Sequence, residues 1–523
     1  GYTRSLDWFL RRRWLAVVIF VLSLGIIYFI GSMLPSELAP MEDRSGMRIS
    51  ATAPEGITYE FMDEYMTEIT DYVIKEVPEA QAIVSITSPG FGASGSVNSG
   101  FVRMRLVNPD ERERSQQEIA DDISTKLSRF SLARTFVIQE QSIGGGGGLP
   151  VQYVIQAPEL DKLKKILPDF IAELQKSDKF QFFDLNLKFN KPELKVDINR
   201  EKARNLGVSV IDIAQTLQFA LSGQRFGYFI MNGKQYQVIG QLSRPYRAEP
   251  LDLRSINVKN SRGEMIPLDN LVTISEGINP PQLYRYNRFV SATFSANPAK
   301  GLTIGDGIKE MDRIADKVLD DTYSTALAGA SKDFEESSSS LLFAFVLAIV
   351  LIYLVLSAQF ESFKDPLIIM FTVPLALAGA VLTLWYFNET LNIFSEIGII
   401  MLIGLVTKNG ILIVEFANQR KDIGFNKGDA IRDASSSRFR PILMTSLSTI
   451  LGAMPIALAL GAGSESRVSM GIAIIGGLTF STILTLYVIP AMYTFISSSH
   501  GHIMKEKVRQ AEHEFDEERE KAS

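Results

Sequence analysis

The chain contains no cysteine and only three histidines, His500, His502 and His513, all close to its C-terminus. Disulfides, thiolate metal sites and cysteine nucleophiles are therefore excluded. Its 53 basic and 59 acidic residues leave a net charge of -6, with no basic stripe interleaved with aromatics, so nucleic-acid binding is set aside. The glycine run Gly144 to Gly148 is not followed by a lysine and a helix start, as a phosphate loop requires, and reads as a linker. No nucleophile and base constellation supports an enzyme, and no cofactor is implied. What the chain has instead is apolar length: 46% hydrophobic residues, gathered into runs of about 20 with almost no charge inside them, the length a bilayer requires.

Six such runs are expected as membrane helices, at 14–33, 341–358, 366–387, 393–417, 441–460 and 470–496. The first is read as a retained anchor, because it is long, follows Arg11, Arg12 and Arg13, and lacks a small-residue cleavage site before Pro35. An even number of spans puts both termini on one side. Basic residues before the first helix, in the linker carrying Arg420, Lys421, Lys427, Arg432, Arg438 and Arg440, and in the tail mark that side as cytoplasmic. The large segment between the first two helices is then extracytoplasmic. The chain starts at Gly1 rather than methionine, as a processed product or a part of something longer would.

Within that segment, strand-like and helix-like patterns alternate. An extended run at 47–53 precedes a helical face of Ile57, Phe61, Tyr65, Ile69, Val73 and Val77, then an extended run at 82–87. A strand at 101–107, a helical face of Ile119, Ile123 and Leu127 and a strand at 135–139 complete the order β-α-β-β-α-β, which is ferredoxin-like. The order recurs in two pieces: strand 151–156, a helix bearing Leu160, Leu163, Phe170 and Leu174, and strand 180–187, and then strand 289–296, a helix bearing Ile304, Ile308, Met311 and Val318, and strand 323–327. The intervening residues read as an inserted domain, with hairpin signals at Ser222-Gly223-Gln224 and Asn232-Gly233. The expected organisation is therefore a first helix in 1–33, subdomains at 34–149 and at 150–191 plus 282–335, an insertion at 192–281, helices two to six in 336–496, and a polar tail at 497–523 that reads as a fraying or disordered cytoplasmic helix.

Lys408 carries the chemistry. It lies near the middle of the fourth apolar run, in Leu402-Ile403-Gly404-Leu405-Val406-Thr407-Lys408-Asn409-Gly410-Ile411, where a lysine costs about 2.5 to 3.5 kcal/mol to insert and is expected to face a bundle interior and a carboxylate. A snorkelling lysine would have to reach across about half of a ~30 Å core. No aspartate lies within the six runs, and Glu396 and Glu415 fall toward the two ends of the same helix. The counter-ion is therefore expected on helices outside this chain. In the fifth run, Pro441 suits a first helical turn, and Arg438 and Thr445, seven apart, share a face available to a proton path. Membrane anchoring by the arginines and a hydroxyl bonded to its own backbone are the ordinary alternatives.

The stretches Thr407-Lys408-Asn409-Gly410-Ile411-Leu412-Ile413-Val414-Glu415-Phe416-Ala417 and Arg440-Pro441-Ile442-Leu443-Met444-Thr445-Ser446 closely resemble helices in the second half of resistance-nodulation-division (RND) transporters, specifically the hydrophobe/amphiphile efflux branch. Leu34-Pro35 through Glu42-Asp43, Glu201 to Ser209 and Gly461-Ala462-Gly463-Ser464 extend the resemblance over nearly the whole chain. It implies a polytopic α-helical membrane protein with six transmembrane helices and a large α+β periplasmic region of two ferredoxin-like porter subdomains with an inserted docking subdomain. It further implies a proton relay of Lys408, Arg438 and Thr445, in which Lys408 pairs with two aspartates on the other half, and a proton gradient in place of any cofactor. Pro89-Gly90-Phe91-Gly92-Ala93-Ser94-Gly95 resembles the family's glycine and phenylalanine switch loop, where flexible glycines around one apolar ring suit a moving gate. Gly90, Phe91 and Gly92 are thus substrate-pathway candidates, with Phe101, Val151 and Tyr153 along the same cleft.

By the same resemblance the partners are an N-terminal half with intramembrane aspartates, further copies in a homotrimer, a periplasmic adaptor (membrane fusion protein) and an outer-membrane channel, in the inner-membrane bilayer of a Gram-negative cell. The competing readings are a metal-exporting pump half, which needs methionine or carboxylate ligands in the cleft, and a protein-translocation accessory or non-transporting subunit of the same topology. Methionines do not cluster in the expected cleft strands, and an accessory subunit should lack the insertion.

Overall fold

A computed structural model describes residues 1–89, 97–139, 143, 148–280, 282–459 and 464–497. Six helices are long and apolar enough to cross a membrane: Trp14–Met33, Gly329–Phe360, Lys364–Tyr386, Ile393–Asp422, Lys427–Ala457 and Glu465–Ile496. They are called the first to sixth membrane helices below. The third and sixth sit deepest in the bundle and touch through small residues. A Cβ on Gly476 would lie 1.9 Å from Thr383 Oγ1, and one on Gly379 would lie 2.4 Å from Phe480 Cβ, so only glycine lets these backbones approach so closely. A core of Ile368, Ile369, Leu375, Ile413, Val414, Val488, Ile489 and Tyr493 fills the space between the third, fourth and sixth helices.

Two helix boundaries depart from expectation. The fifth membrane helix begins at Lys427, so Pro441 lies inside it rather than in its first turn. An apolar window misses about the first four turns, which are polar on their outer side but bury Ala430, Ile431, Ala434 and Ser435. The second helix likewise starts at Gly329, well before its apolar run. A further helix, Tyr2–Arg11, precedes the first membrane helix, buries Leu6 and Phe9, and is tied to the bundle by Tyr2, whose hydroxyl donates to the Leu486 carbonyl at 2.7 Å. Its amphipathic spacing was legible but lay hidden ahead of the longer apolar run.

Among the described residues, the chain between the first and second membrane helices builds two larger sheets and three two-stranded ones. Strands β1 (Gly46–Thr52), β2 (Ala80–Thr87), β3 (Ser99–Leu106) and β4 (Arg134–Gln139) pair in the order β2-β3-β1-β4, all antiparallel. Burial alternates strictly along β1, because Met47, Ile49 and Ala51 face the helices Tyr59–Glu76 and Gln116–Leu127 while the intervening residues face outward. Each helix starts on a side-chain cap, Thr58 and Ser115, the latter in a full capping box with Glu118.

The second sheet starts with β5 (Val151–Ala157) and β6 (Phe180–Leu185), joined by the helix Leu160–Lys176. The chain then leaves for a separate compact unit made of Pro54–Ile57 and Leu187–Leu283. That unit contains β7 (Lys191–Ile198), β8 (Gln224–Met231), β9 (Lys234–Gly240), β10 (Asn257–Lys259), β11 (Met265–Pro267) and β12 (Val272–Asn279), pairing as β7-β12, β8-β9 and β10-β11 around a core of Ile213, Leu253, Val258, Leu268 and Leu271. Asn232 and Gly233, with φ of 52° and 72°, form the β8-β9 turn, a pair of left-handed residues as a type I′ turn needs. Ser222-Gly223-Gln224 is not a hairpin turn: Gly223 ends a short π-helix and starts β8. The chain returns through β13 (Tyr284–Tyr286), β14 (Phe289–Pro298), the helix Ile304–Val318 and β15 (Ser324–Leu327), giving the sheet order β13-β14-β5-β15 with β6 also on β14.

Candidate functional site

Lys408 projects from the middle of the fourth membrane helix, half-buried in the bundle. Among the described residues no carboxylate forms an ion pair with it and no group hydrogen-bonds it. Its neighbour Asn409 is fully buried and donates from Nδ2 to Ser446 Oγ on the fifth helix at 3.4 Å. Ser446 Oγ accepts a second hydrogen bond, at 3.1 Å, from Thr482 Oγ1 on the sixth helix. Ser481 and Thr485 are buried beside it, and Asn409 Oδ1 and Ser481 Oγ have no hydrogen-bond partner. A polar seam thus runs through an otherwise apolar bundle at the depth of the lysine. Buried polar groups left unsatisfied in such surroundings are costly, and in membrane helices they mark function by default.

Thr445 stands next to Ser446 and therefore at the depth of Lys408, but its hydroxyl donates to the Ile442 carbonyl of its own helix at 3.2 Å. Arg438 lies seven residues away, or about 10 Å along the helix. Its guanidinium sits 4.6 Å from the ring centre of Phe416, two turns beyond Lys408 on the fourth helix. Lys408 and Thr445 thus lie at one depth of the bundle, and Arg438 lies farther along the fifth helix, toward the basic linker. Sequence reasoning singled out Thr445 and passed over Ser446 and Thr482, since hydroxyls are common in helices and nothing in the local sequence says which one meets another helix.

Outside the bundle, Phe101 lies on the open face of the first sheet, half-buried, with the Arg48 guanidinium 5.6 Å from its ring centre. Val151 and Tyr153 do not line a cleft. Val151 is fully buried against Gly307, where an added Cβ would meet its Cγ2 at 2.6 Å. Tyr153, only 2% exposed, donates its hydroxyl to Asp312 at 2.8 Å. Both occupy the face of β5 that the Ile304–Val318 helix covers. Gly90, Phe91 and Gly92 lie outside the described residues, as do most of the Gly144 to Gly148 run, 460–463 and the tail from 498.

An open cleft of about 480 Å³ does run between the two sheets, lined by Gln117, Asp121, Val137, Gln139, Phe182 and Lys300 among others. Phe136 and Phe182 meet at its edge with ring centres 4.9 Å apart, and Lys300 pairs with Asp121 at 3.6 Å. The strap leading from the first membrane helix into the first sheet is anchored, at two adjacent residues, to both the bundle and the sheet. Glu42 accepts a hydrogen bond from Ser466 at the start of the sixth helix, and Asp43 pairs with the buried Arg112. Burial pushes the Asp43 carboxyl up, but hydrogen bonds from Arg112 and from the backbone N–H groups of Gln116 and Ser45 outweigh it and hold the group below the usual range. Among the described residues no group of three or more His, Asp or Glu is placed to hold a metal.

Six helices long and apolar enough to cross a membrane, with a lysine midway along the fourth and a large sheet-bearing region between the first and second, define a polytopic membrane protein. Residues 1–497 match the AcrB/AcrD/AcrF family. Among curated relatives, an uncharacterised transporter of Haemophilus influenzae is 32% identical over 93% of this chain and 47% of its own length. The multidrug resistance protein MdtC of Proteus mirabilis is 30% identical over 95% of the chain and 48% of its own. MdtC of Yersinia enterocolitica is 29% identical over 98% and 50%. The chain belongs to the AcrB/AcrD/AcrF family of RND transporters, and it spans about half the length of the curated relatives it matches.

Proposed function

We propose that the chain is the C-terminal half of a proton-driven pump that exports hydrophobic or amphiphilic compounds, with its bundle in the inner membrane and its sheets in the periplasm. The observation that carries this reading is Lys408, held at mid-helix beside the Asn409–Ser446–Thr482 seam with no carboxylate partner among the described residues. A desolvated ammonium favours an anionic partner strongly, and the second six-helix half would supply it as intramembrane aspartates. Protonating such a carboxylate cancels its attraction for Lys408, and losing that attraction lets one half rock against the other. The ammonium then serves as the fixed counter-charge. Thr445, at the same depth, is available to pass or hold a proton, and Arg438 sits where a proton would leave toward the cytoplasmic side. The proton gradient is the only energy source the reading needs.

Substrate would traverse the cleft between the two sheets, whose mixture of amide, charged and aromatic side chains suits amphiphiles, with Phe101 on the adjoining sheet face and Gly90, Phe91 and Gly92 as the gate. Assembly as a homotrimer with a periplasmic adaptor and an outer-membrane channel belongs to the same reading. The test is efflux of a fluorescent amphiphile from cells carrying the intact protein with Lys408→Ala, alongside its abundance and assembly. Lost efflux at normal abundance supports the reading, and unchanged efflux refutes it.

A further inference from the structure

A second cavity lies inside the membrane bundle and has no part in the relay. It is a groove of about 580 Å³ between the third, fifth and sixth helices, walled by Leu382, Phe387, Met454, Ile472 and Phe480. Its floor is the glycine contact of the third and sixth helices, and the fifth helix closes against the sixth where a Cβ on Gly471 would lie 2.6 Å from the Ala457 nitrogen. Phe387, Met454 and Leu458 are 56%, 43% and 61% exposed, so the groove is open at the surface of the bundle. It lies at the end of the bundle nearest the sheets, and the single charged residue lining it is Glu389.

Glu389 does not stand alone. The turn after the third helix is laced to the strap after the first: Leu391 N–H donates to the Pro35 carbonyl at 2.8 Å, and Glu37 N–H donates to the Leu391 carbonyl at 3.0 Å. Thr390 Oγ1 donates to the Glu37 carboxylate at 2.6 Å. Two half-buried carboxylates are thereby brought side by side, and among the described residues neither has a basic partner. Burial pushes the Glu389 carboxyl up, and the neighbouring Glu37 charge pushes it the same way; burial also raises Glu37, against the hydrogen bond from Thr390. Glu37 lines the polar cleft between the sheets, so the pair stands where groove and cleft adjoin.

An apolar slot open at the bundle surface with uncompensated negative charge at its mouth complements an amphiphile with a positive head. We propose that this groove binds a cationic amphiphile, its alkyl or aryl body between the third, fifth and sixth helices and its ammonium head against Glu389 and Glu37. A cation there relieves the repulsion between the carboxylates and supplies the partner the protein withholds, whereas a neutral or anionic amphiphile gains only the apolar contact. The inference deepens the export reading by assigning a substrate class to a site in the bundle. Binding itself requires no turnover.

The experiment uses the intact protein carrying this chain, in phosphatidylcholine nanodiscs without a proton gradient. The probe is a dodecyltrimethylammonium ion with a photoactivatable tail, compared with its uncharged tert-butyl isostere, and labelled peptides are mapped by mass spectrometry. The ammonium probe is expected to label 379–389, 454–458 and 472–480 and to outcompete the isostere. Glu389→Gln should weaken its apparent affinity about tenfold, the loss of one charge-assisted contact. Met454→Trp, which fills the groove and leaves both carboxylates in place, should lower labelling independently and covers the case in which Glu389→Gln misfolds. Equal labelling by the isostere, labelling confined to other segments, or a phospholipid in the groove that the ammonium probe cannot displace would each overturn the proposal. A wild-type protein that exports amphiphiles but is never labelled in the groove overturns this proposal and leaves the export reading standing. A Lys408→Ala protein that no longer exports but labels normally supports the site by itself.

Discussion

Glu310 on the Ile304–Val318 helix is almost buried, with 4% of its side chain exposed, yet is fully charged at neutral pH. Arg313 grips it with two hydrogen bonds of 2.7 and 2.9 Å, Ser177 donates a third at 2.8 Å, and Lys179 lies 3.6 Å away. Hydrogen bonding from Arg313 foremost, against the opposing effect of burial, brings the carboxyl from 4.5 down to about 2. A drop of that size corresponds to about 3 kcal/mol of stability, which solvent around the exposed Arg313 reduces to about 2 kcal/mol. Because the folded value is the lower one, the contribution is complete above the unfolded value of 4.5 and is lost as pH falls from there toward about 2. Hydrogen exchange of the helix amides, corrected for intrinsic rate, reads this directly. Protection should fall about tenfold between pH 6 and pH 3, and Glu310→Gln should be about 30-fold less protected at pH 6 and much flatter with pH. A wild type and a Glu310→Gln protein with the same protection and the same pH response would refute the reasoning.

Three further outcomes follow from the packing. Gly476→Ala places a methyl 1.9 Å from Thr383 Oγ1 and 2.5 Å from its Cβ, and should cost about 1 to 3 kcal/mol, seen as a lower melting temperature and partly restored by Thr383→Gly. Ser446→Ala removes the acceptor that Asn409 and Thr482 share, and a double-mutant cycle with Asn409→Ala should give a coupling of about 0.6 kcal/mol, whereas zero coupling would show that the 3.4 Å contact is not a working hydrogen bond. Arg112→Ala deletes a guanidinium only 1% exposed and leaves Asp43 held by the backbone N–H groups of Gln116 and Ser45 alone, so the first sheet should lose about 2 to 3 kcal/mol and become the first site of proteolysis on warming.

Much of the architecture was legible because burial writes itself into period. The alternation at Met47, Ile49 and Ala51 and the helical spacing of Tyr65, Ile69 and Val73 report faces that the structure buries. The six apolar helices were legible for the same reason, and their ends were not. The stretch Arg432 to Arg440 reads as linker until Ala434 and Ser435 are seen packed in the bundle, since a helix that leaves the bilayer no longer needs apolar residues all round. Within the site, Lys408 announced itself by the cost of its charge. Ser446, Thr482 and the Glu37–Glu389 pair did not, because each acquires meaning from a neighbour far along the chain. Val151 and Tyr153 failed for a related reason: almost every residue of β5 is buried, so periodicity does not distinguish the face toward the helix from the face toward the cleft.

The central claim is that Lys408 couples proton movement to export. Its most direct test is proton release from acid-loaded proteoliposomes holding the intact protein, recorded with an internal pH dye before and after an amphiphile is added outside. The account predicts that the amphiphile accelerates proton flux in the wild type and leaves it at the protein-free rate in Lys408→Ala reconstituted at equal density. Amphiphile-stimulated flux that persists in Lys408→Ala would contradict it.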